Sequence, residues 1–365
     1  MLSDRNYTKC KIVMVGTRRD GGKRYWCLQH KADATAKYGK RAVRCRYAFI
    51  PPISSAEKLT IDPTSYGGGI AIWGAVPPIY DTTGHPLERG VHVHARTHPE
   101  ADKVIDQSYR SVEVVINNTG QTVEISELDA IYFMVSSVFG YEMKFVECTF
   151  CHFPHLDKDW FSVHNHRRHL CAGCGHLFRD DVRGIGNPAM KIRESFPHHH
   201  EINKARKSKR LRQTDYLGGI QIWGSNSALL WTANRNEESG IHLHAFDQDG
   251  KIKIDDTFST VTVDNITLDP KLVRLLMAQS GLPHIAGRVM SIHCEQCGKE
   301  HFDEGEYAFT PHDNHCCNSC GSKLRGKGKF RKTISNPICA TLAQLAKFAV
   351  REPLQQESHL LTETL

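Results

Sequence analysis

Short runs of alternating or continuous apolar residues are spread along the chain, and few are long. Gly69 to Trp73 and Val91 to Ala95 read as strands, and Val104 to Ile116 keeps a period of two that predicts a third. Ile125 to Phe139 spaces its apolar residues as a helix does. Paired cysteines follow. The succession predicts an α+β module: a small antiparallel sheet, a helix, then a zinc ribbon.

The same pattern then comes round again. Tyr66 to Gly74 lines up with Tyr216 to Gly224 at an offset of 150, which also carries Gly90-Val91-His92-Val93-His94-Ala95 onto Gly240-Ile241-His242-Leu243-His244-Ala245. After a one-residue slip, Ile105 to Tyr109 aligns with Ile254 to Phe258, and both halves close on Asn-Pro, at Asn187-Pro188 and Asn336-Pro337. A tandem duplicated module is the reading. It divides the chain into an N-terminal segment 1–60, a first copy 61–194, a basic linker 195–213, a second copy 214–345 and a tail 346–365.

Of 13 cysteines, eight form C-x-x-C pairs, a spacing that suits a metal better than a loop-closing disulfide. Cys148, Cys151, Cys171 and Cys174 match Cys294, Cys297, Cys317 and Cys320, with 19 residues between the pairs in each half. Zn²⁺ takes four tetrahedral thiolates, so each set predicts one closed structural site. Near the N-terminus, Cys27 and His30 form C-x-x-H and, with Cys10 and Cys45, offer a third site. Cys316 and Cys339 have no counterparts in the first half.

Five histidines recur in both halves: His92 and His242, His94 and His244, His155 and His301, His166 and His312, His169 and His315. Asp106 and Asp255, and Asp157 and Asp303, recur with them. On a strand, His-x-His sets both imidazoles on one face, where Asp106 or Asp255 on the next strand completes a three-ligand set. His92, His94, Asp106, His242, His244 and Asp255 are therefore the candidate catalytic residues, with the ribbon histidines His155 or His169 expected to close the same pocket. The pattern is not that of zinc deaminases, since neither cysteine pair follows a proline.

Apolar content of 40% and charged content of 24% fit a globular chain. No readable signal peptide and no apolar run near the roughly 18 residues a span needs predict a cytoplasmic protein that does not enter a membrane. A net charge of +7 favours anionic partners, and the basic residues cluster. Arg167 and Arg168 lie between the first knuckles, Lys207, Lys209 and Arg210 in the linker, and Lys327 and Lys329 after the last knuckle. Two functions follow. The first is nucleic-acid binding through these residues; the alternative is a metal-dependent enzyme, hydrolysing a phosphoester or modifying a nucleotide at the His-x-His sets.

Overall fold

The computed structural model describes residues 12–17, 23–27, 32–33, 57–84, 89–116, 119–196, 202–204, 206–232, 237–282, 285, 288–325 and 332–349. Cys10, His30 and Cys45 lie outside the described residues. For Cys27 only the backbone is described, at the end of the strand Lys23–Cys27, opposite Ile12. The described chain is mixed α+β with small sheets and four α-helices, α1 (Glu127–Val138), α2 (Ala189–Ser195), α3 (Pro270–Gly281) and α4 (Ile338–Ala349). None of the described helices is long and apolar enough to cross a membrane.

The chain divides into two compact units. The first gathers Met1–Ala75, Glu88–His200 and Ala228–Arg235; the second gathers Val76–Leu87, Glu201–Ser227 and Asn236–Leu365. Each unit thus includes a short arm from the stretch of sequence that otherwise builds the other.

In the first unit, an antiparallel sheet runs Leu230–Trp231, Gly69–Ala75, Gly90–Arg96, Ile105–Tyr109. Ile70, Ile72, Val91, Val93 and Ala95 point into a core shared with Ala130 and Phe133 of α1. The helix begins where the alternating pattern stops, at Ser126, whose hydroxyl and backbone exchange a capping box with Asp129. It lies close enough that a Cβ on Gly74 would meet the Ala130 backbone at 3.1 Å. The edge strand comes from the arm: Thr232 Oγ1 accepts from Ile70 N at 2.8 Å, and Leu229 N donates to Ile72 O at 2.7 Å.

The single strand expected over 104–116 is two. Ile105–Tyr109 belongs to this sheet, whereas Ser111–Val115 pairs in parallel with Leu59–Ile61 and antiparallel with Thr122–Ser126. The cause is a change of parity. Ile105 and Tyr109 pack on the core at odd positions, but Val112, Val114 and Ile116 do so at even ones, so the chain turns over at Arg110. The sheets are accordingly not purely antiparallel.

The second unit has the same succession. Its sheet runs Ile202–Lys204, Glu237–Phe246, Gly219–Ser225, Tyr80–Asp81, with Ile252–Phe258 also against Glu237–Phe246. Ile220, Ile222, Ile241, Leu243 and Ala245 form the core with Val273 and Leu276 of α3. The arm docks in mirror fashion, Thr82 Oγ1 accepting from Ile220 N at 2.9 Å. The basic stretch before it is partly structured: Ser208–Leu211 pairs in parallel with Thr260–Val263, burying Leu211.

Candidate metal centres

The cysteine sets lie on turns with one repeated design. The amide of each knuckle's first cysteine bonds to the carbonyl five residues on, and its carbonyl accepts from the amide four residues on, at 2.8–3.0 Å in all four knuckles. The residue at that fourth place is left-handed each time: His152 (φ 55°), Gly175 (φ 75°), Gly298 (φ 70°) and Gly321 (φ 73°). Amides also point at sulfur, as from Phe150 to Cys148 at 3.4 Å and from Gly173 to Cys171 at 3.2 Å. In the first unit Cys148 and Cys174 sulfurs lie 3.7 Å apart, and those of Cys151 and Cys171 3.5 Å apart. In the second, Cys294–Cys320 and Cys297–Cys317 are both 3.6 Å. Four thiolates about 2.3 Å from a tetrahedral ion sit about 3.8 Å apart, so both four-cysteine groups have the size of a metal site. Burial pushes the Cys171 thiol up to about 12, so a metal ion bound there would displace its proton to solvent.

The His-x-His strands behave as the alternation requires. Val91, Val93 and Ala95 are buried, and His92 and His94 share the other face. His92 Nε2 and His94 Nε2 lie 2.8 Å apart, and Asp106 Oδ1 is 3.3 Å and 3.0 Å from them. In the second unit the three separations are 3.0, 3.6 and 3.3 Å, around Asp255. Ligands on one ion with bonds of about 2.1 Å stand roughly 3–3.4 Å apart, and every separation in the two triads lies within about 0.2 Å of that range. Side-chain exposures of 29%, 23% and 46% for His92, His94 and Asp106 leave these sites open on one side.

Three supports were not read from the sequence. Ser108 Oγ lies 3.0 Å from His92 Nδ1, and Thr257 Oγ1 lies 3.1 Å from His242 Nδ1, which aims each Nε2 at the carboxylate. The hydroxyl common to both halves at this place was the available signal. Lys103 Nζ holds Asp106 Oδ2 at 2.9 Å. Burial lowers the imidazole of His94 below its ordinary value despite the bond to Asp106, which favours the neutral form a metal needs. Burial works against the charge of Asp106, but hydrogen bonds with His92 and His94 hold its carboxyl well below the usual range.

The ribbon histidines do not close this pocket. His155, His166 and His169 gather instead on Asp157, and His301, His312 and His315 on Asp303. A bulge between His166 and Arg168 turns two histidines three residues apart to one side of the strand His166–Leu170.

Arg167 and Arg168 are exposed on that strand, and Arg168 stands directly opposite Arg179. In the former linker Lys207 and Arg210 are exposed and Lys209 half-buried. Lys327 and Lys329 lie outside the described residues. The rings of Trp73 and Trp223 lie against the imidazoles, 5.0 Å from His94 and 4.9 Å from His244. No family model, curated protein or solved structure matches the chain.

Proposed function

We propose that the two units are copies of one module, each braced by a zinc ion in its four-cysteine ribbon, and that the protein is a metal-dependent enzyme acting on phosphoesters. The observation that carries the reading is the convergence of His92, His94 and Asp106, met again at His242, His244 and Asp255. A closed site needs four ligands; these sets supply three and are open to solvent, which leaves a position for water. A divalent ion there lowers the pKa of that water and polarises a phosphoryl oxygen. Neutral imidazoles and an ionised carboxylate are the donors such an ion takes, and Lys103 keeps Asp106 in place. Incubating the zinc-, manganese- or cobalt-loaded chain with an activated phosphodiester and with single- and double-stranded nucleic acid tests the reading. Turnover lost in a His94→Ala, His244→Ala chain supports it; no turnover with any of these ions removes it.

A second reading, nucleic-acid binding without chemistry, is favoured by Arg168 and Arg179. Like charges directly across an antiparallel pair repel, and no ion-pair partner for either occurs among the described residues. A phosphate between them relieves that repulsion. Binding that persists unchanged in the chain lacking both His-x-His sets favours this reading over the first.

A further inference from the structure

A second cluster in each unit, buried inside the ribbon, is absorbed neither by the four-cysteine sites nor by the open triads. Asp157 Oδ1 has His155 Nε2 at 2.8 Å and His166 Nε2 at 3.1 Å, His169 Nδ1 lies between the two oxygens at 3.5 Å from Oδ1 and 3.4 Å from Oδ2, and Oδ2 accepts from Gly186 N at 2.7 Å. Asp303 Oδ1 has His301 Nε2 at 2.7 Å, His312 Nε2 at 3.3 Å and His315 Nδ1 at 3.1 Å, with its Oδ2 on Ser335 N at 2.7 Å. One carboxylate thus faces three imidazole nitrogens in each unit, through a single oxygen at Asp303 and with His169 shared between both oxygens at Asp157.

The outer hydrogen bonds fix which ring nitrogen turns inward. His166 Nδ1 lies 2.7 Å from the carbonyl oxygen of His164, and His312 Nδ1 lies 2.9 Å from that of Thr310. A carbonyl only accepts, so Nδ1 bears a proton and Nε2 is the nitrogen turned inward; burial works against a charged ring, but the hydrogen bonds with Asp157 and Asp303 raise His166 and His312 above the ordinary value. His301 is held likewise. Its Nδ1 is 2.6 Å from Asn318 Oδ1, an atom marked as the acceptor by the amide of Phe302 at 3.1 Å. In the second unit, two Nε2 atoms of rings already protonated at Nδ1 therefore crowd a single carboxylate oxygen. Protonating both rings would bury two imidazolium ions against a single carboxylate. A cation seated beside the carboxylate would displace such protons instead, and an outer bond from the far ring nitrogen is what metal-bound histidines make. His155, His169 and His315 are buried, and their outer nitrogens have no hydrogen-bond partner among the described residues.

We propose that each ribbon holds a second divalent transition-metal ion, of the zinc class, ligated by His155 Nε2, Asp157 and His169 Nδ1, with His166 turned to the same carboxylate, and in the other unit by His301, Asp303 and His315, beside His312. With the aspartates 4% exposed, these sites are shut off from solvent, so their role is to pin the segment between the two knuckles. The proposal stands independently of the open triads.

The test uses the full chain carrying His92→Ala, His94→Ala, His242→Ala and His244→Ala, loaded with zinc and desalted. Zinc-edge absorption is expected to show nitrogen or oxygen as a large share of the first shell, with about two zinc ions per chain beyond the sulfur-bound ones. Adding His169→Gln and His315→Gln is expected to remove about two zinc ions and leave the zinc–sulfur signal in place. A first shell with no more nitrogen or oxygen than the cysteine sites bring overturns the proposal, as does unchanged zinc content after the last two substitutions. The absorption arm decides even where the glutamine variants fail to fold.

Discussion

His92 Nε2 and His94 Nε2 stand 2.8 Å apart, with the indole of Trp73 edge-on to His94 at 5.0 Å. Trp223 has the same relation to His244, at 4.9 Å. A paramagnetic ion at either triad therefore sits against a fluorophore. Titrating the chain with Co²⁺ is expected to quench tryptophan emission in a saturable step. That step should halve in His94→Ala and vanish in the His94→Ala, His244→Ala chain; a step that survives intact places the ion elsewhere.

Removing a ribbon ligand should act differently from removing a triad ligand. Cys171 is buried, and the amides of Gly173 and Cys174 point at its sulfur. Cys171→Ser is expected to release about one metal ion and unfold that ribbon, because structural metal binding is folding free energy. His94→Ala should leave the fold intact. Limited proteolysis alongside metal analysis reads both outcomes.

Much of this was legible beforehand, for physical reasons. His92 and His94 were assigned to one face because a strand has a fixed period of two, and cysteine spacing is set by ligand geometry. Ile125 to Phe139 became α1 almost as read, since Ser126 caps it. The turn at Arg110 was hidden because a change of face needs no glycine or proline. The exchanged arms around Tyr80 and Leu230 were hidden because two-residue strands carry no periodicity. The His155–Asp157 cluster was visible as residues common to both halves, but a bulge brings His166 and His169 together, and nothing in the local sequence marks it.

The four knuckles offer a stability test. Three place glycine in the left-handed fourth position and one places His152 there, at φ 55°. A side chain in that conformation costs about 1–2 kcal/mol, partly offset by the greater freedom glycine brings to the unfolded chain. His152→Gly is expected to stabilise the metal-loaded chain by roughly 0.5–1 kcal/mol in chemical denaturation. Destabilisation would mean that the imidazole makes a contact of its own.

Gly74 and Gly224 admit the helices to unequal degrees. A Cβ at Gly224 would meet Arg274 Cα at 2.4 Å, against 3.1 Å to the Ala130 backbone at Gly74. Gly224→Ala should therefore cost more than Gly74→Ala, about 2–3 kcal/mol against about 1 kcal/mol, on the scale of ordinary overpacking. Equal costs, measured by denaturation, would contradict the packing described for α3.

If phosphates lie between Arg168 and Arg179, neutralising both as Gln should flatten the salt dependence of nucleic-acid affinity. The slope of log K against log salt should fall by about two units on a duplex, one per contact. An unchanged slope with weaker binding would assign these residues to shape rather than charge.

Metal content and turnover measured together test the central claim most directly. The wild-type chain and one carrying His92→Ala, His94→Ala, His242→Ala and His244→Ala are loaded with zinc, desalted and assayed on an activated phosphodiester. The account predicts a loss of about two ions per chain, retained zinc–sulfur signal and no turnover in the variant. Equal metal content in the two folded chains, or equal turnover, would contradict it.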